Sequence, residues 1–326
     1  SEQPHVTMEN LYEVLEEQYG IRTEPLRKKM EDTLEAFLLK HLIGQDKAIK
    51  TISETVTSLS VLSHRRKDRV KGILLFTGPT GVGKSYSAQL IASHIFPENT
   101  SAFLRISMNE YKERYYLSRL IGSSPGLIGH ETAGLFFLFA EKNPQGVILL
   151  DEFEKAHNEI QDFFLQIFDI GEARNSRGRL VDFRGHLFII TTNIFSDPGY
   201  AAMSQDLQRE NLLKHFRPEF LARVDQIVPF KSLDEEDYFE LFNRLIENFS
   251  SEMHPNEVEF VINNTDRLNI ILSLSEQNEG ARGFIRKFEQ KIYTPIIKLI
   301  SKEPDIIRVN LSFVQNKIVL TPMEEA

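Results

Sequence analysis

The chain has 326 residues, 41% of them apolar, enough for one large domain and a smaller companion. Its 38 Lys and Arg against 47 Asp and Glu leave a net charge of −9, which speaks against a nucleic-acid partner held by bulk charge. The absence of cysteine excludes disulfides and thiolate metal sites and fits a reducing, cytoplasmic setting; no apolar run approaches the roughly 20 residues of a membrane-spanning helix, and no secretory signal pattern is visible.

The N-terminal stretch carries Leu11, Val14, Leu15 and Tyr19 at helical spacing. After a break at Gly20–Pro25, a second helical stripe runs through Leu26, Met30, Leu34, Phe37, Leu38 and Leu42. Such a stripe packs either on the main domain or on a neighbouring module. A helix over about Asp46–Ser63 follows. The densest basic cluster, Arg65, Arg66, Lys67 and Arg69, reads as a solvated helix end, not a nucleic-acid patch.

A strand at Gly72–Phe76 then leads through a glycine-rich turn into a helix at Lys84–His94. Further short apolar runs predict strands at Phe103–Ile106, Val147–Leu150, Leu187–Thr191 and Ile227–Phe230. Helical patterns separate them; in one, Ile160, Phe163, Phe164, Ile167 and Phe168 follow the i, i+3, i+4 rule. Alternating strands and helices predict a parallel sheet covered on both faces. After Phe230 the texture changes to a helix at Leu233–Phe249, a short strand at Val258–Ile262, a helix at Asp266–Ser275, a longer helix from Arg282 that Pro295 could kink, and two strands at Ile306–Leu311 and Lys317–Leu320. This places a boundary near residue 232, with a smaller α+β domain behind it.

Gly78-Pro79-Thr80-Gly81-Val82-Gly83-Lys84-Ser85 matches G-x-x-x-x-G-K-[S/T] between a strand and a helix. The glycines let successive N–H groups point inward at phosphate oxygens; Lys84 brings a cation to the β- and γ-phosphates, and the Ser85 hydroxyl is a hard oxygen suited to Mg²⁺. The strand Val147–Leu150 ends in Asp151-Glu152, at the sheet edge beside this loop. Asp151 is read as the partner of Mg²⁺ and Glu152 as the general base for water. Taken without the loop, the two carboxylates would read as an acidic helix start. Thr191-Thr192-Asn193 ends another strand, where a polar side chain can orient the lytic water or close a simple turn.

Further stretches make the resemblance specific: Ile43–Asp46, Ser107–Tyr111, Ser118–Gly122, Val147–His157, Gly178–Phe183, Phe216–Arg223 and Gly280–Arg282. Together, over roughly residues 40–320, the chain resembles the second ATPase module of the Clp/Hsp100 family of AAA+ proteins, a group of protein unfoldases and disaggregases. The resemblance implies an α/β fold: an N-terminal helical extension (1–43), a P-loop AAA+ large domain with a helix-covered parallel sheet (44–231), and a small α+β C-terminal domain (232–326). It implies that Ile43 and Gly44 line the adenine pocket, that Asn193 is the first sensor and Arg282 the second, and that Arg223 reaches the ATP of a neighbouring subunit, with Arg217 assisting. The implied active form is an ATP-dependent ring of identical subunits, a hexamer, remodelling protein substrates with ATP and Mg²⁺. A nucleotide-regulated scaffold without threading is the competing reading.

Two departures qualify the resemblance. Family members that thread polypeptides carry an aromatic between two glycines in the pore loop; here the segment is Gly126-Leu127-Ile128-Gly129. Leu127 reads either as a weakened or specialised grip or as a sufficient apolar paddle. No Ile/Leu-Gly-Phe/Leu tripeptide follows residue 130, so docking to a Clp peptidase is not expected.

Overall fold

A computed structural model describes residues 33–62, 68–116, 118, 120, 122, 134–195, 199–252, 259–275, 279–302 and 308–323. Leu11–Met30, the basic residues 65–67 and the loop around Leu127 lie outside the described residues.

In chain order come α1 (Leu34–His41), α2 (Asp46–Leu62), β1 (Gly72–Thr77), α3 (Lys84–Ile95), β2 (Phe103–Ser107), α4 (Leu135–Lys142), β3 (Gly146–Asp151), α5 (Asn158–Ile170), a hairpin of β4 (Glu172–Arg174) and β5 (Leu180–Asp182), and β6 (His186–Thr191). They are followed by α6 (Gln205–Leu212), α7 (Pro218–Leu221), β7 (Gln226–Pro229), α8 (Glu235–Glu252), β8 (Glu259–Val261), α9 (Asn264–Leu274), α10 (Gly280–Phe288), α11 (Thr294–Lys302), β9 (Arg308–Val314) and β10 (Lys317–Met323).

The main sheet has the order β2-β3-β6-β1-β7, and every neighbouring pair is parallel. Strands β1, β3 and β6 are buried along their whole length. Their side chains alternate between two cores, as a strand covered on both faces requires. Ile73 and Leu75 of β1, Ile148 and Leu150 of β3, and Phe188 and Ile190 of β6 enter one core with α4, α5 and α7. That core is aromatic: Phe136 stacks on Phe183 at 4.5 Å and meets Phe164 edge-on at 5.4 Å. Leu74, Phe76, Val147, Leu149, Leu187 and Ile189 face the other core, with α1, α2 and α3.

The predicted α1 stripe packs here: Leu34, Leu38 and Leu42 are buried in the second core. The helix begins at Leu34, where the Thr33 hydroxyl caps it by accepting the Ala36 N–H at 3.2 Å; Leu26 and Met30 of the predicted stripe lie outside the described residues. The helix expected from Arg282 starts two residues earlier, at Gly280, which puts Arg282 in its first turn. Pro295 follows a π-helical turn at Glu289–Tyr293 between α10 and α11. Helices α4, α6 and α7 fall in the intervals where helical patterns are expected between strands, without stated bounds; the β4–β5 hairpin carries no sequence expectation.

Behind the main sheet, β10-β9-β8 form a second sheet, antiparallel between β9 and β10 and parallel between β8 and β9. It packs with α8 to α11 around Phe242, Ile271, Phe284, Phe288 and Leu311. The Gln45 side chain, 2% exposed, pins the junction between the two regions. Its amide donates to the Lys231 carbonyl at 3.0 Å and its oxygen accepts the Lys231 N–H at 3.1 Å.

Candidate functional site

A parallel sheet gathers its strand ends along one edge. In the β2–β3 register Ser107 lies opposite Asp151, and in the β1–β6 register Phe76 lies opposite Thr191. The loop from Gly78 to Gly83 leaves β1 at that edge, with left-handed φ at Gly78 (127°), Gly81 (78°) and Gly83 (104°). It opens α3, whose N-terminus presents unpaired N–H groups to anything negative. A cleft of about 550 Å³ lies over the loop.

Within the loop, Val82 is buried in the core beneath, while Thr80, Gly81, Gly83, Lys84 and Ser85 line the cleft. The Lys84 ammonium donates to the Gly78 carbonyl at 2.6 Å and to the Pro79 carbonyl. Burial pushes it down to about 8, against the upward pull of Asp151, Glu154 and Glu152.

Asp151 is the most heavily hydrogen-bonded carboxylate of the cleft. Its Oδ1 accepts from the Ser85 hydroxyl at 2.8 Å and the Thr191 hydroxyl at 2.5 Å. Its Oδ2 accepts from Arg105, through Nε at 3.0 Å and Nη2 at 2.5 Å. Burial alone would raise this carboxyl; the bonds from Thr191, Ser85 and Arg105 outweigh it and hold it below the usual carboxylate range.

Glu152 follows with φ 59°, a left-handed conformation that a non-glycine residue rarely adopts. The Thr191 hydroxyl accepts its N–H at 2.9 Å. One carboxylate oxygen accepts from the Asn193 amide at 2.7 Å and the other from the Asn109 amide. Glu152 is thus aimed into the cleft by strain in its backbone and by two amides on its flanks. Arg282 lines the opposite wall, with Ala281 and Ile285 of α10.

That wall rests on the loop itself. A Cβ on Gly280 would stand 2.8 Å from the Thr80 carbonyl oxygen, and one on Gly81 would stand 2.3 Å from the Glu279 carbonyl oxygen. Only two glycines allow the backbones to approach so closely.

The structure thus brings Lys84, Ser85, Asp151, Glu152, Asn193 and Arg282 into one cleft. Ile43 and Gly44 are not among its lining residues: Ile43 packs against the core of the second region, and Gly44 sits against the Asp237 carboxylate. Arg223 pairs with Asp169, and Arg217 with Asp162, both carboxylates of α5. Arg105 and Asn109, which bond the two cleft carboxylates, carry no sequence expectation of their own, although Asn109 lies inside the quoted stretch Ser107–Tyr111. Their signal was topological: β2 neighbours β3 in the sheet.

The Ser85 hydroxyl and Asp151 carboxylate converge as hard oxygen donors, which fits Mg²⁺. Among the described residues, no group of three or more His, Cys, Asp or Glu could hold a metal. Among the described residues no helix is long and apolar enough to cross a membrane.

A family model described as AAA domain (Cdc48 subfamily) matches residues 69–227. The chain is 33% identical to the chaperone protein ClpB of Mycoplasma genitalium, over 97% of this chain and 44% of that protein. It is 32% identical to the ClpB of Lactococcus lactis subsp. lactis, over 97% of this chain and 38% of the relative. With the ClpB of Staphylococcus epidermidis it shares 35% identity over 86% and 34%, respectively. The chain therefore spans less than half the length of these relatives.

Proposed function

The chain is a AAA+ module of the Clp/Hsp100 type, and on that premise we propose that it binds and hydrolyses ATP to remodel protein substrates. The observation that carries this reading is the convergence of Lys84, the Ser85–Asp151 pair and an oriented Glu152 in one cleft.

The roles of the cleft residues rest on their chemistry, and those of Arg223 and Arg217 on the family resemblance. The loop N–H groups and Lys84 hold the β- and γ-phosphates, while Arg282 meets the polyphosphate from the other wall. Ser85 and Asp151 hold Mg²⁺, which supplies charge neutralisation on the phosphate oxygens when bound. Glu152 takes the proton of the attacking water, and Asn193 and Asn109 keep its carboxylate in place. Arg223, assisted by Arg217, leaves its α5 partner and enters the site of a neighbouring copy, where it meets developing charge.

On this reading residues 44–231 form the nucleotide-binding domain, 232–326 the small domain that moves against it, and the assembly is an ATP-dependent ring, a hexamer, in the cytoplasm. Coupling to a Clp peptidase is not part of the proposal.

Glu152→Gln tests it. The variant is expected to bind ATP with wild-type affinity and to lose turnover by two to four orders of magnitude, roughly the contribution of general-base catalysis. Undiminished steady-state hydrolysis would overturn the assignment.

A further inference from the structure

Arg105 sits in the middle of the edge strand β2, between the buried Leu104 and Ile106, and its side chain is 52% exposed. It lines the cleft, and both of its hydrogen bonds go to a single atom, Oδ2 of Asp151. The other oxygen, Oδ1, is occupied by the Ser85 and Thr191 hydroxyls. Every acceptor direction of that carboxylate is in use. A divalent cation that needs Asp151 therefore meets a carboxylate already carrying a positive partner.

The three donors differ in their freedom to leave. Thr191 is 1% exposed at the end of a central strand, and its hydroxyl also accepts the Glu152 N–H. Ser85 would be a ligand of the same cation. Arg105 alone combines a long, flexible stem with an open side toward the cleft.

We propose that Arg105 is a built-in competitor of the divalent cation at Asp151: its guanidinium holds Oδ2 without the cation, gives that oxygen up where Asp151 would hold Mg²⁺, and then serves the polyphosphate. This rests on the nucleotide reading above and deepens it, because Arg105 sets how much Mg²⁺ the site demands. A permanent cation on a long stem suits both positions, since the carboxylate oxygen and the phosphate oxygens are alike anionic acceptors of charge-assisted bonds.

The test is binding of a fluorescent, non-hydrolysable ATP analogue, titrated with Mg²⁺ and repeated in EDTA. Arg105→Gln is expected to lower the half-saturating Mg²⁺ concentration severalfold and to weaken metal-free nucleotide binding severalfold. Arg105→Lys, which keeps the charge, is expected to stay close to wild type in both. An unchanged or raised Mg²⁺ requirement in Arg105→Gln overturns the competition. Arg105→Met, of similar stem length, separates this from a packing defect: it must shift in the same direction as Arg105→Gln. Failure of the wild-type protein to take up nucleotide at any Mg²⁺ concentration would instead overturn the reading of the cleft.

Discussion

Lys84 carries a pH dependence that can be worked out from its surroundings. In the open cleft its ammonium loses a proton near pH 8 because burial penalises the charge. Phosphates bind the charged form, so a bound nucleotide raises that value. Affinity is therefore flat below about pH 8 and falls above it, by at most tenfold per pH unit, until the bound-state value is reached. Nucleotide titrations on either side of pH 8 should show that fall; an affinity rising with pH would contradict it. Asn109 makes a separate prediction. It holds Glu152, so Asn109→Ala should lower turnover about tenfold with nucleotide affinity little changed, as expected for a group that orients a base. An equal loss in affinity would place Asn109 on the nucleotide. At this scale the sequence was informative where residue order itself encodes the chemistry, as in Gly78–Ser85 and Asp151-Glu152. It was silent on Arg105, because an arginine on an edge strand looks like any solvated charge until the strand order puts it beside Asp151.

Among elements, the contact between α10 and the phosphate loop is the one most open to mutation. Gly280→Ala would add a Cβ 2.8 Å from loop backbone at φ 60°. We expect it to hold α10 off the loop and weaken nucleotide binding about tenfold. Gly178→Ala is the control, with φ 74° and open space around it. It should cost stability, about 1 kcal/mol from backbone strain, and leave binding alone. If both substitutions weaken binding equally, the contact has no special role. In the aromatic core, Phe136→Ala should lose about 3–5 kcal/mol in chemical denaturation; its ring stacks on Phe183 and meets Phe137, Phe163 and Phe164 edge-on. The buried strands were legible because continuous apolar runs bounded by polar residues have few other solutions. Helix α4 was not: in Leu135–Ala140 every position is apolar, so no helical stripe stands out, and Leu135 and Leu138 remain exposed. The three-residue strands β4 and β5 are too short to show any period.

For the whole molecule, the ring proposal predicts a change in size. Glu152→Gln protein should sediment or scatter as a larger species with ATP than without it; a mass unaffected by ATP counts against nucleotide-dependent assembly. Arg223→Ala should bind ATP normally and lose turnover on the order of a thousandfold, provided assembly is complete. The parallel sheet and the smaller α+β region behind it were readable from the alternation of patterns and from the change in texture after Phe230. Their mutual arrangement was not, because it depends on glycine-to-glycine contact and on one buried glutamine, neither of which leaves a periodic trace.

That glutamine has a mechanical consequence. Gln45 binds both hydrogen-bonding groups of the Lys231 peptide, so the chain is riveted to α2 immediately before it enters α8. Asp234 and Asp237 each accept the other's backbone N–H and so brace the start of α8 on the far side. If the second region moves as proposed, a small twist between rivet and brace becomes a longer stroke where Arg282 meets the cleft.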